Sequence, residues 1–424
     1  MIKIICFIFI INCFSVTIGQ TTIIFDTVSN FTENLEDIPH VKGKWRDFII
    51  ANTIPLTSIS SDDFSDLQFL KEILIDKKYV FLGESTHYAY EFSEIKFRLI
   101  RFLVQELDFD VIVFESNIWN CYQLKLLKDH YTSKELLDRT IYAVWNTQTL
   151  QELISYIMKN NLEFAGFDIK PSAYKNDYYF EQIILSAIDS TLSSIAYKCS
   201  LEFSNFYKNR NLTCNKIHMN QVLSDHSKLF TLLTKYQQNG KYQDLDIYQK
   251  EIQNRIRIIN SCIIDDKEYV NEYRDSLMSV TLQWLTEEIY PGKKIILWAH
   301  NGHISKNNLK RNKPMGSFLP ETILNASYII GFYMYSGVTF SDKIIEVRKP
   351  YKNSLEALMI QPNYKYSFFD LSNRTYSDET SWMFNEISSL LWGRFKRKIV
   401  LNKSYDAILF IDKISLPNHN LLKY

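Results

Sequence analysis

The chain of 424 residues is long enough for one to three domains, and its 46% hydrophobic residues are ample for a sizeable core. Its 48 lysines and arginines equal its 48 aspartates and glutamates, so no net field favours a nucleic acid or a strongly acidic partner. The composition therefore excludes a disordered chain and gives no support to nucleic-acid binding.

The first residues predict a cleavable signal peptide over 1–19. A short positive region ending at Lys3 is followed by the apolar stretch from Ile4 to Ile18, and small residues precede Gln20. The apolar stretch is shorter than the about 20 residues of a spanning helix, and no later segment is long and apolar enough to cross a bilayer. We therefore expect an exported protein, periplasmic or secreted, without a membrane anchor after cleavage.

Residues 20–66 read as a poorly defined N-terminal extension, and an α/β domain is predicted over 67–424. Helical patterns separate six apolar segments that predict buried strands, at 79–82, 111–114, 164–167, 294–298, 328–332 and 407–410. This alternation indicates βαβ units around a mainly parallel central sheet flanked by helices.

A helical insertion is predicted over 174–267, because this stretch is long, polar and helical in pattern and has no strand signal. It reads as a cap on the α/β domain. An amphipathic helix over 269–288 then leads back into the fourth strand.

Four of the predicted strands stop at titratable side chains, which are Glu84 and His87, then Glu115, then Asp168, then His300 and His303. Because the carboxyl ends of parallel strands meet at one edge of a sheet, these groups should line one pocket. A helix N-terminus capped by Ser85 or Thr86 would explain Glu84 but not His87.

The helix predicted over 90–107 presents one apolar arc to the sheet, and the opposite side reads as a solvated face with Glu94, Arg98, Arg101 and Gln105. Lys96 projects from within the apolar arc, so its ammonium must pair with a carboxylate or reach a cavity. Glu84 and Glu115 are the candidate partners. A cation near a substrate oxygen and a structural ion pair explain Lys96 equally well.

Two histidines three residues apart, His300 and His303, suit either proton transfer or metal ligation. The sequence has no Gly-x-Ser-x-Gly elbow, no dinucleotide fingerprint and no P-loop, which argues against the usual serine hydrolases and against nucleotide chemistry. His87 acting as general base on a water is the simplest remaining mechanism.

Cysteine usage leaves the redox state open. An even number of cysteines in an exported chain permits disulfides, with Cys199 and Cys214 the nearest pair, yet four cysteines are no disulfide scaffold. The four that follow the predicted signal peptide are Cys121, Cys199, Cys214 and Cys262.

An ordered set of motifs resembles the erythromycin esterase family over roughly 67–338, with weaker similarity to Phe410. The motifs are Gly83-Glu84-Ser85-Thr86-His87, Glu91-Phe92, Phe114-Glu115, Gly166-Phe167-Asp168, Arg274-Asp275, Ala299-His300-Asn301-Gly302-His303 and Pro314-Met315-Gly316. Members of this family open the macrolactone ring of macrolide antibiotics by hydrolysis.

The resemblance implies His87 as the base, Glu84 and Glu115 as groups that orient and charge-balance it, and His300 with His303 lining the pocket. Lys96 occupies a position where members often have arginine. Lysine cannot form the bidentate hydrogen bonds of arginine, so it would position a substrate differently. Tyr88 stands where members often have glycine, which narrows the pocket.

We therefore expect an exported hydrolase that cleaves a small-molecule carboxylic ester or macrolactone with water activated by His87, without a cofactor. Lys96 or a protonated His303 would steady the oxyanion, and Asp168 would bind substrate with the two histidines. One alternative is a divalent-metal hydrolase that uses the same cluster of glutamates and histidines. Another is a non-catalytic binding or envelope-polysaccharide-related protein that keeps the pocket.

Overall fold

The computed structural model describes residues 15–18, 21–24, 41–170, 180–209, 216–238, 244–261, 267–307, 313–340 and 343–417. The chain forms two compact units, Met1–Ile38 and Pro39–Tyr424. Within the first unit, two short strands pair antiparallel. Residues 1–14 and 19 of the predicted signal peptide, the predicted start of the insertion at Tyr174, and Cys214 and Cys262 lie outside the described residues.

The strands, numbered in chain order, are β1 (Ser15–Ile18), β2 (Thr21–Ile24), β3 (Ile54–Pro55), β4 (Tyr79–Leu82), β5 (Val111–Asn117), β6 (Glu163–Asp168), β7 (Ile295–Trp298), β8 (Ser327–Phe340), β9 (Ile344–Glu346), β10 (Tyr366–Asp370), β11 (Ile387–Leu391), β12 (Phe395–Ile399) and β13 (Ala407–Ile414).

The α-helices are α1 (Gly43–Asn52), α2 (Leu70–Ile73), α3 (Tyr90–Leu107), α4 (Ile118–Leu127), α5 (Ser133–Thr140), α6 (Gln148–Lys159), α7 (Leu185–Ile188), α8 (Ser190–Asn209), α9 (Lys216–Gln238), α10 (Leu245–Ser261), α11 (Lys267–Trp284), α12 (Asn301–Ile304), α13 (Glu321–Asn325), α14 (Leu355–Met359), α15 (Ser381–Phe384) and α16 (Leu401–Ser404). Single turns of 3₁₀-helix occur at Ser65–Leu67, Ala143–Trp145 and Met315–Phe318, and π-helical turns at Phe180–Ile184 and Leu285–Ile289.

The central sheet has the strand order β3-β10-β13-β8-β4-β7-β5-β6, with β9 paired to the far end of β8. The six strands from β13 to β6 are parallel to one another, whereas β3, β9 and β10 pair antiparallel. The predicted α/β class with a mainly parallel sheet flanked by helices is confirmed. The six strands predicted from the sequence are the six parallel ones.

One face of the sheet packs on α3, whose apolar arc the sequence predicted correctly. Alternate residues of the strands, Val80, Leu82, Ile112 and Phe114, join one core with Phe92, Ile95 and Leu99 of the helix. This alternation is what a pleated strand requires, because successive side chains point to opposite faces. The helix ends at Leu107, and the next residue, Asp108, adopts the left-handed conformation (φ 56°) that commonly terminates helices.

The prediction of a solvated face on α3 is wrong at Arg98, which is fully buried. Its guanidinium pairs with Asp66 (2.6 Å) and donates to the carbonyl oxygens of Ser58 (2.7 Å) and Ser61 (3.0 Å). The segment before the first parallel strand folds over this side of the helix. The sequence pattern of α3 alone carries no sign of that covering segment.

The described residues between 180 and 261 are helical and include no strand. They have a small core with the return helix α11, formed by Phe203, Phe206, Met219, Val222, Ile258, Ile259, Leu277 and Ile169. Cys121 and Cys199 are buried free thiols. None of the helices in the described part of the chain combines the length and apolar character needed to cross a bilayer.

Candidate active site

The strand order brings the predicted site residues together at the carboxyl edge of the sheet. Neighbouring strands β4, β7, β5 and β6 carry in turn the pair Glu84 and His87, the pair His300 and His303, then Glu115, then Asp168. Strand β7 lies between β4 and β5, so residues distant in sequence become neighbours. Crevices of this kind at strand ends are the usual location of ligand sites in open α/β sheets.

The turns after β4 and β7 are locked against each other by Asn301. Its backbone N–H donates to the Glu84 carbonyl (2.8 Å), and its side-chain amide exchanges hydrogen bonds with the backbone of Phe332. A Cβ atom at Gly83 would overlap Asn301 Oδ1, so only glycine permits this approach. The sequence signal for this packing is the glycine that directly precedes Glu84.

Glu84 is the centre of a buried hydrogen-bond network. One carboxylate oxygen faces His87 Nδ1 (2.5 Å) and accepts from Trp145 Nε1 (2.8 Å), and the other accepts from Lys96 Nζ (2.6 Å). The side chains of Glu84 and Lys96 are 0% exposed, whereas His87 is 16% exposed. A carboxylate that accepts at Nδ1 fixes the neutral imidazole with its proton there and leaves Nε2 as the basic nitrogen.

The alternative of a helix cap at Ser85 or Thr86 is excluded, because α3 begins at Tyr90 with no side-chain cap. The Ser85 hydroxyl donates to Met334 Sδ (3.1 Å), and Thr86 bonds Thr339 (2.8 Å). Both hydroxyls are buried and committed elsewhere.

Lys96 lies beneath the site rather than in it. Its ammonium contacts Glu84 and sits 4.4 Å from the centroid of the Trp298 ring. Burial lowers the pKa of Lys96 to about 8, although the neighbouring Glu84 opposes this shift. Of the two sequence interpretations, the structure supports the ion pair: Lys96 acts on the site through Glu84.

Glu115 lies in an irregular part of β5, where the register with β6 shifts between Phe114 and Asn117. Such bulges re-aim side chains beside active sites. Gly166 on β6 is paired with Phe114 at the start of this irregular stretch, and a Cβ there would overlap the Ser116 carbonyl. One Glu115 oxygen accepts from the His300 backbone N–H (2.8 Å), and the other faces His303 Nε2 (3.2 Å).

Arg274, on α11, pairs with Asp168 and lies 3.4 Å from Glu115. Tyr142 donates to the second oxygen of Asp168 (2.9 Å). Burial alone would raise the pKa of Asp168, but Arg274 outweighs it and lowers that pKa. Asp168 therefore holds Arg274 in place, and its carboxylate is not free to bind a substrate as the sequence reading expected.

His303 is held between two carboxylates, with Nδ1 2.9 Å from Asp275 and Nε2 3.2 Å from Glu115. Burial alone would lower the pKa of His303, but Asp275 and then Glu115 raise it to about 10. The ring is therefore an imidazolium that donates from both nitrogens, and the nearby Arg274 is a like-charged neighbour rather than a donor to it. For Glu115, burial is outweighed by His303 and Arg274, which hold its pKa well below the usual range.

His300 is held as a neutral histidine. Its Nδ1 accepts from the Gly302 N–H (2.9 Å), which places the ring proton on Nε2. Nε2 is buried and makes no well-formed hydrogen bond within the described ranges. Burial and the neighbouring His87 hold the pKa of His300 well below its usual value, and Glu115 and the Ser85 carbonyl offset this only in part.

Trp392 covers both histidines from the turn between β11 and β12. Its ring stacks on His300 (centroids 4.1 Å apart, 18° between planes) and meets His87 edge-on at 4.9 Å. Its backbone N–H donates to the Ser85 carbonyl (3.1 Å), and its φ of 57° is the left-handed turn conformation. Trp145 also meets the His87 ring edge-on, with ring centroids 5.1 Å apart.

Sequence reasoning missed Trp145, Tyr142 and Trp392, and it used Arg274 and Asp275 only as motif residues. The one available signal for Trp392 was the Trp392-Gly393 pair between two stretches of strand-like alternation. Turn glycines mark hairpins, but they do not tell where the hairpin docks.

The groups that a ligand can reach are those with partly exposed side chains: His87, His303 (17%) and Arg274 (13%). The buried carboxylates and Lys96 lie behind them. As a metal site this cluster is poorly suited, because its carboxylate oxygens already accept from three cations, Lys96, Arg274 and His303, and from several N–H groups.

The family model of erythromycin esterase matches residues 104–414. The chain belongs to the erythromycin esterase family. The matched segment contains Glu115, Asp168, His300 and His303, while Glu84, His87 and Lys96 precede it. Membership of this family, with the names of the relatives below, supports a hydrolase.

Two curated relatives span nearly the whole chain. YbfO of Bacillus subtilis (strain 168), provisionally named a hydrolase, is 29% identical over 88% of this chain and 91% of its own length. The erythromycin esterase type II of Escherichia coli is 22% identical over 84% of this chain and 94% of its own length.

A solved structure supports the fold. A mutant of the erythromycin esterase EreC in its open conformation is similar with a TM-score of 0.61 and 18% identity. The likeness covers 85% of this chain and 96% of that one.

Proposed function

We propose that the protein hydrolyses a carboxylic ester or lactone with a water activated by His87 Nε2. The observation that carries this proposal is the 2.5 Å contact between His87 Nδ1 and the fully buried Glu84 carboxylate. Nε2 is left on a partly exposed ring at the carboxyl edge of the sheet. A base so oriented, with a carboxylate behind it, is the arrangement that general-base catalysis requires.

Water is the nucleophile in this proposal, because the hydroxyls closest in sequence to the base are committed to other partners. Ser85 is bonded to Met334 and Thr86 to Thr339. The attacking water would give its proton to His87 Nε2 as its oxygen bonds to the acyl carbon. The same proton then passes to the leaving alkoxide when the C–O bond of the tetrahedral intermediate breaks.

Two features would stabilise the developing oxyanion. The imidazolium of His303 and the guanidinium of Arg274, both partly exposed, supply positive potential at the carboxyl edge of the sheet. Preorganised donors and charges in a site shielded from water contribute strongly to such catalysis. Lys96 is a positioning residue here, since Glu84 separates it from the base.

The substrate class follows from the family and from the aromatic side chains Trp145 and Trp392 that contact the base, which suit a partly apolar acyl or lactone group. Export, argued from the N-terminal sequence, would place the activity in the periplasm or the medium.

The decisive test is the variant His87→Ala, assayed against a panel of p-nitrophenyl esters and macrolactones by mass spectrometry for the addition of one water. We expect kcat/KM to fall about 10²–10⁴-fold with an unchanged unfolding midpoint. His130→Ala, at an exposed histidine outside the site, is the matched control and should retain full activity. Unimpaired hydrolysis by His87→Ala would exclude the mechanism.

A further inference from the structure

Three side chains with metal-ligating atoms converge in the helical segment, and none of them belongs to the candidate active site. Cys199 and Glu202 lie three residues apart on α8, and His226 lies on the neighbouring helix α9. One ligand atom of each lies within 4.8 Å of the others. A spacing of three residues places Cys199 and Glu202 on the same side of their helix.

Two of these ligand atoms are buried without a hydrogen-bond partner in the described part of the chain. His226 is fully buried, and its Nδ1 contacts the Val222 carbonyl at 2.8 Å, so the proton resides on Nδ1. Its Nε2 therefore presents a bare lone pair, and Nε2 is unpartnered. A backbone carbonyl that fixes the histidine tautomer in this way is the usual outer support of a metal-bound imidazole.

Glu202 contributes the second unpartnered atom. Among the described residues its buried Oε2 accepts no hydrogen bond, while Oε1 is 3.5 Å from Lys198 Nζ. Burying lone pairs without a donor costs free energy, and a bound cation would remove that cost at both atoms.

From this geometry we propose that Cys199, Glu202 and His226 form a binding site for a divalent metal of the zinc type, with a fourth position open to water. Sulfur, imidazole nitrogen and carboxylate oxygen together favour zinc over the hard cations calcium and magnesium. In a tetrahedral zinc site the ligand atoms are roughly 3.5 Å apart, so small side-chain rotations suffice to close the cluster.

A metal at this position would bind the thiolate of Cys199 and release the thiol proton. The nearby Arg255 does not oppose the cation strongly, because its guanidinium is paired with Glu251 (2.8 Å) and donates to Ser200 (2.8 Å).

Occupation would cross-link α8 and α9, so the metal would stabilise the helical segment and leave the hydrolytic groups untouched. It would also give the free thiol of Cys199 a role as a metal ligand, in place of the disulfide that the sequence permitted.

The experiment uses the full chain, stripped of metal and titrated with Co²⁺ and with Zn²⁺. We expect one equivalent of Co²⁺ to give thiolate-to-cobalt charge-transfer absorption with tetrahedral ligand-field bands, one equivalent of Zn²⁺ to displace it, and the unfolding midpoint to rise with Zn²⁺. The variants Cys199→Ser, Glu202→Gln and His226→Gln should each lose affinity by at least about tenfold.

Two controls assign the signal to this cluster. Cys121→Ser removes the other described buried thiol, and His87→Gln removes the base at the strand ends; both should bind Co²⁺ as the unaltered protein does. If Cys199→Ser fails to fold, the Co²⁺ affinity of the near-isosteric variant Glu202→Gln tests the proposal instead. Absence of the charge-transfer band, or equal binding by the unaltered protein and Glu202→Gln, would overturn the proposal.

Discussion

At the scale of single residues, Glu84 has the largest number of consequences, since three different donors converge on its carboxylate. It fixes the proton of His87, accepts from Trp145 and neutralises the buried Lys96. A buried ion pair adds little net stability, but removing one partner leaves an uncompensated charge. Stability and activity should therefore respond differently to changes at this pair.

Glu84→Gln should destabilise the fold by about 3–5 kcal/mol, because the Lys96 ammonium loses its counter-ion. It should also lower kcat/KM by about 10²–10⁴-fold, because Nδ1 of His87 loses its carboxylate. The double variant Glu84→Gln/Lys96→Met should regain most of the stability without regaining activity. Urea denaturation and steady-state kinetics measure the two effects, and recovery of activity in the double variant would contradict the role given to Glu84.

Lys96 also predicts an alkaline limit on activity. Its pKa of about 8 means that the ammonium is lost above that pH, and Glu84 then loses the charge that balances it. We expect kcat/KM to fall above pH 8 in the unaltered protein. In the variant Lys96→Arg the guanidinium stays charged, so the alkaline fall in kcat/KM should move toward about pH 10, where His303 loses its proton. A pH–rate profile unchanged by Lys96→Arg would show that another group causes the alkaline fall in kcat/KM.

At the scale of elements, the sequence predicts helices and strands with a periodic apolar pattern, but not how segments without such a pattern pack against them. Long apolar strands and the amphipathic α3 were predicted correctly because period-2 and period-3.6 patterns report burial directly. The antiparallel strand β3 has two residues and β9 has three, too short for a pattern, and they were not predicted. Arg98 was assigned to solvent for a related reason: its cover comes from a segment with no periodicity of its own.

The candidate site likewise contains residues that the sequence pattern predicts and residues that only tertiary packing brings in. Glu84, His87, Glu115, His300 and His303 could be found because each follows a recognisable strand, and strand ends converge by topology. Trp392 and Arg274 enter from a hairpin and a helix whose positions depend on tertiary packing. Local spacing does not encode that packing, so the cover over the histidines and the partner of Asp168 could not be predicted.

The bulge in β5 provides a prediction at this scale. Gly166→Ala would bring a Cβ onto the Ser116 carbonyl, so we expect the strand pair to shift, the fold to lose at least about 1–3 kcal/mol, and activity to fall as Glu115 moves. Gly43→Ala is the matched control: nothing lies within 4 Å of the added Cβ, and the change should stabilise α1 by about 0.4–1 kcal/mol. Thermal unfolding of both variants tests the contrast, and equal effects would contradict it.

For the second unit of the molecule, Pro39–Tyr424, one charge network links regions that are far apart in sequence. Glu115, Asp168, Arg274, Asp275 and His303 join β5, β6, α11 and α12. Since the pKa of His303 is raised from 6.5 to about 10, its stabilising contribution is complete below pH 6.5 and is lost as pH rises through 10.

The variant His303→Gln isolates this contribution. The unaltered protein should be more stable than the variant by on the order of a few kcal/mol near pH 6, and the difference should shrink steadily toward pH 10. Denaturation at a series of pH values provides the measurement. Carboxylates titrate below this window, so a difference that stays constant would show that His303 is uncharged in the folded protein.

The cover that Trp392 places over His87 and His300 also bears on the timing of folding. The base comes from the first quarter of the chain, and its cover comes from the last tenth. Contacts between such distant segments form late, because a long loop must close before they are made. A nascent chain would thus carry His87 without its finished surroundings, and the candidate site would be complete only once the C-terminal hairpin has docked.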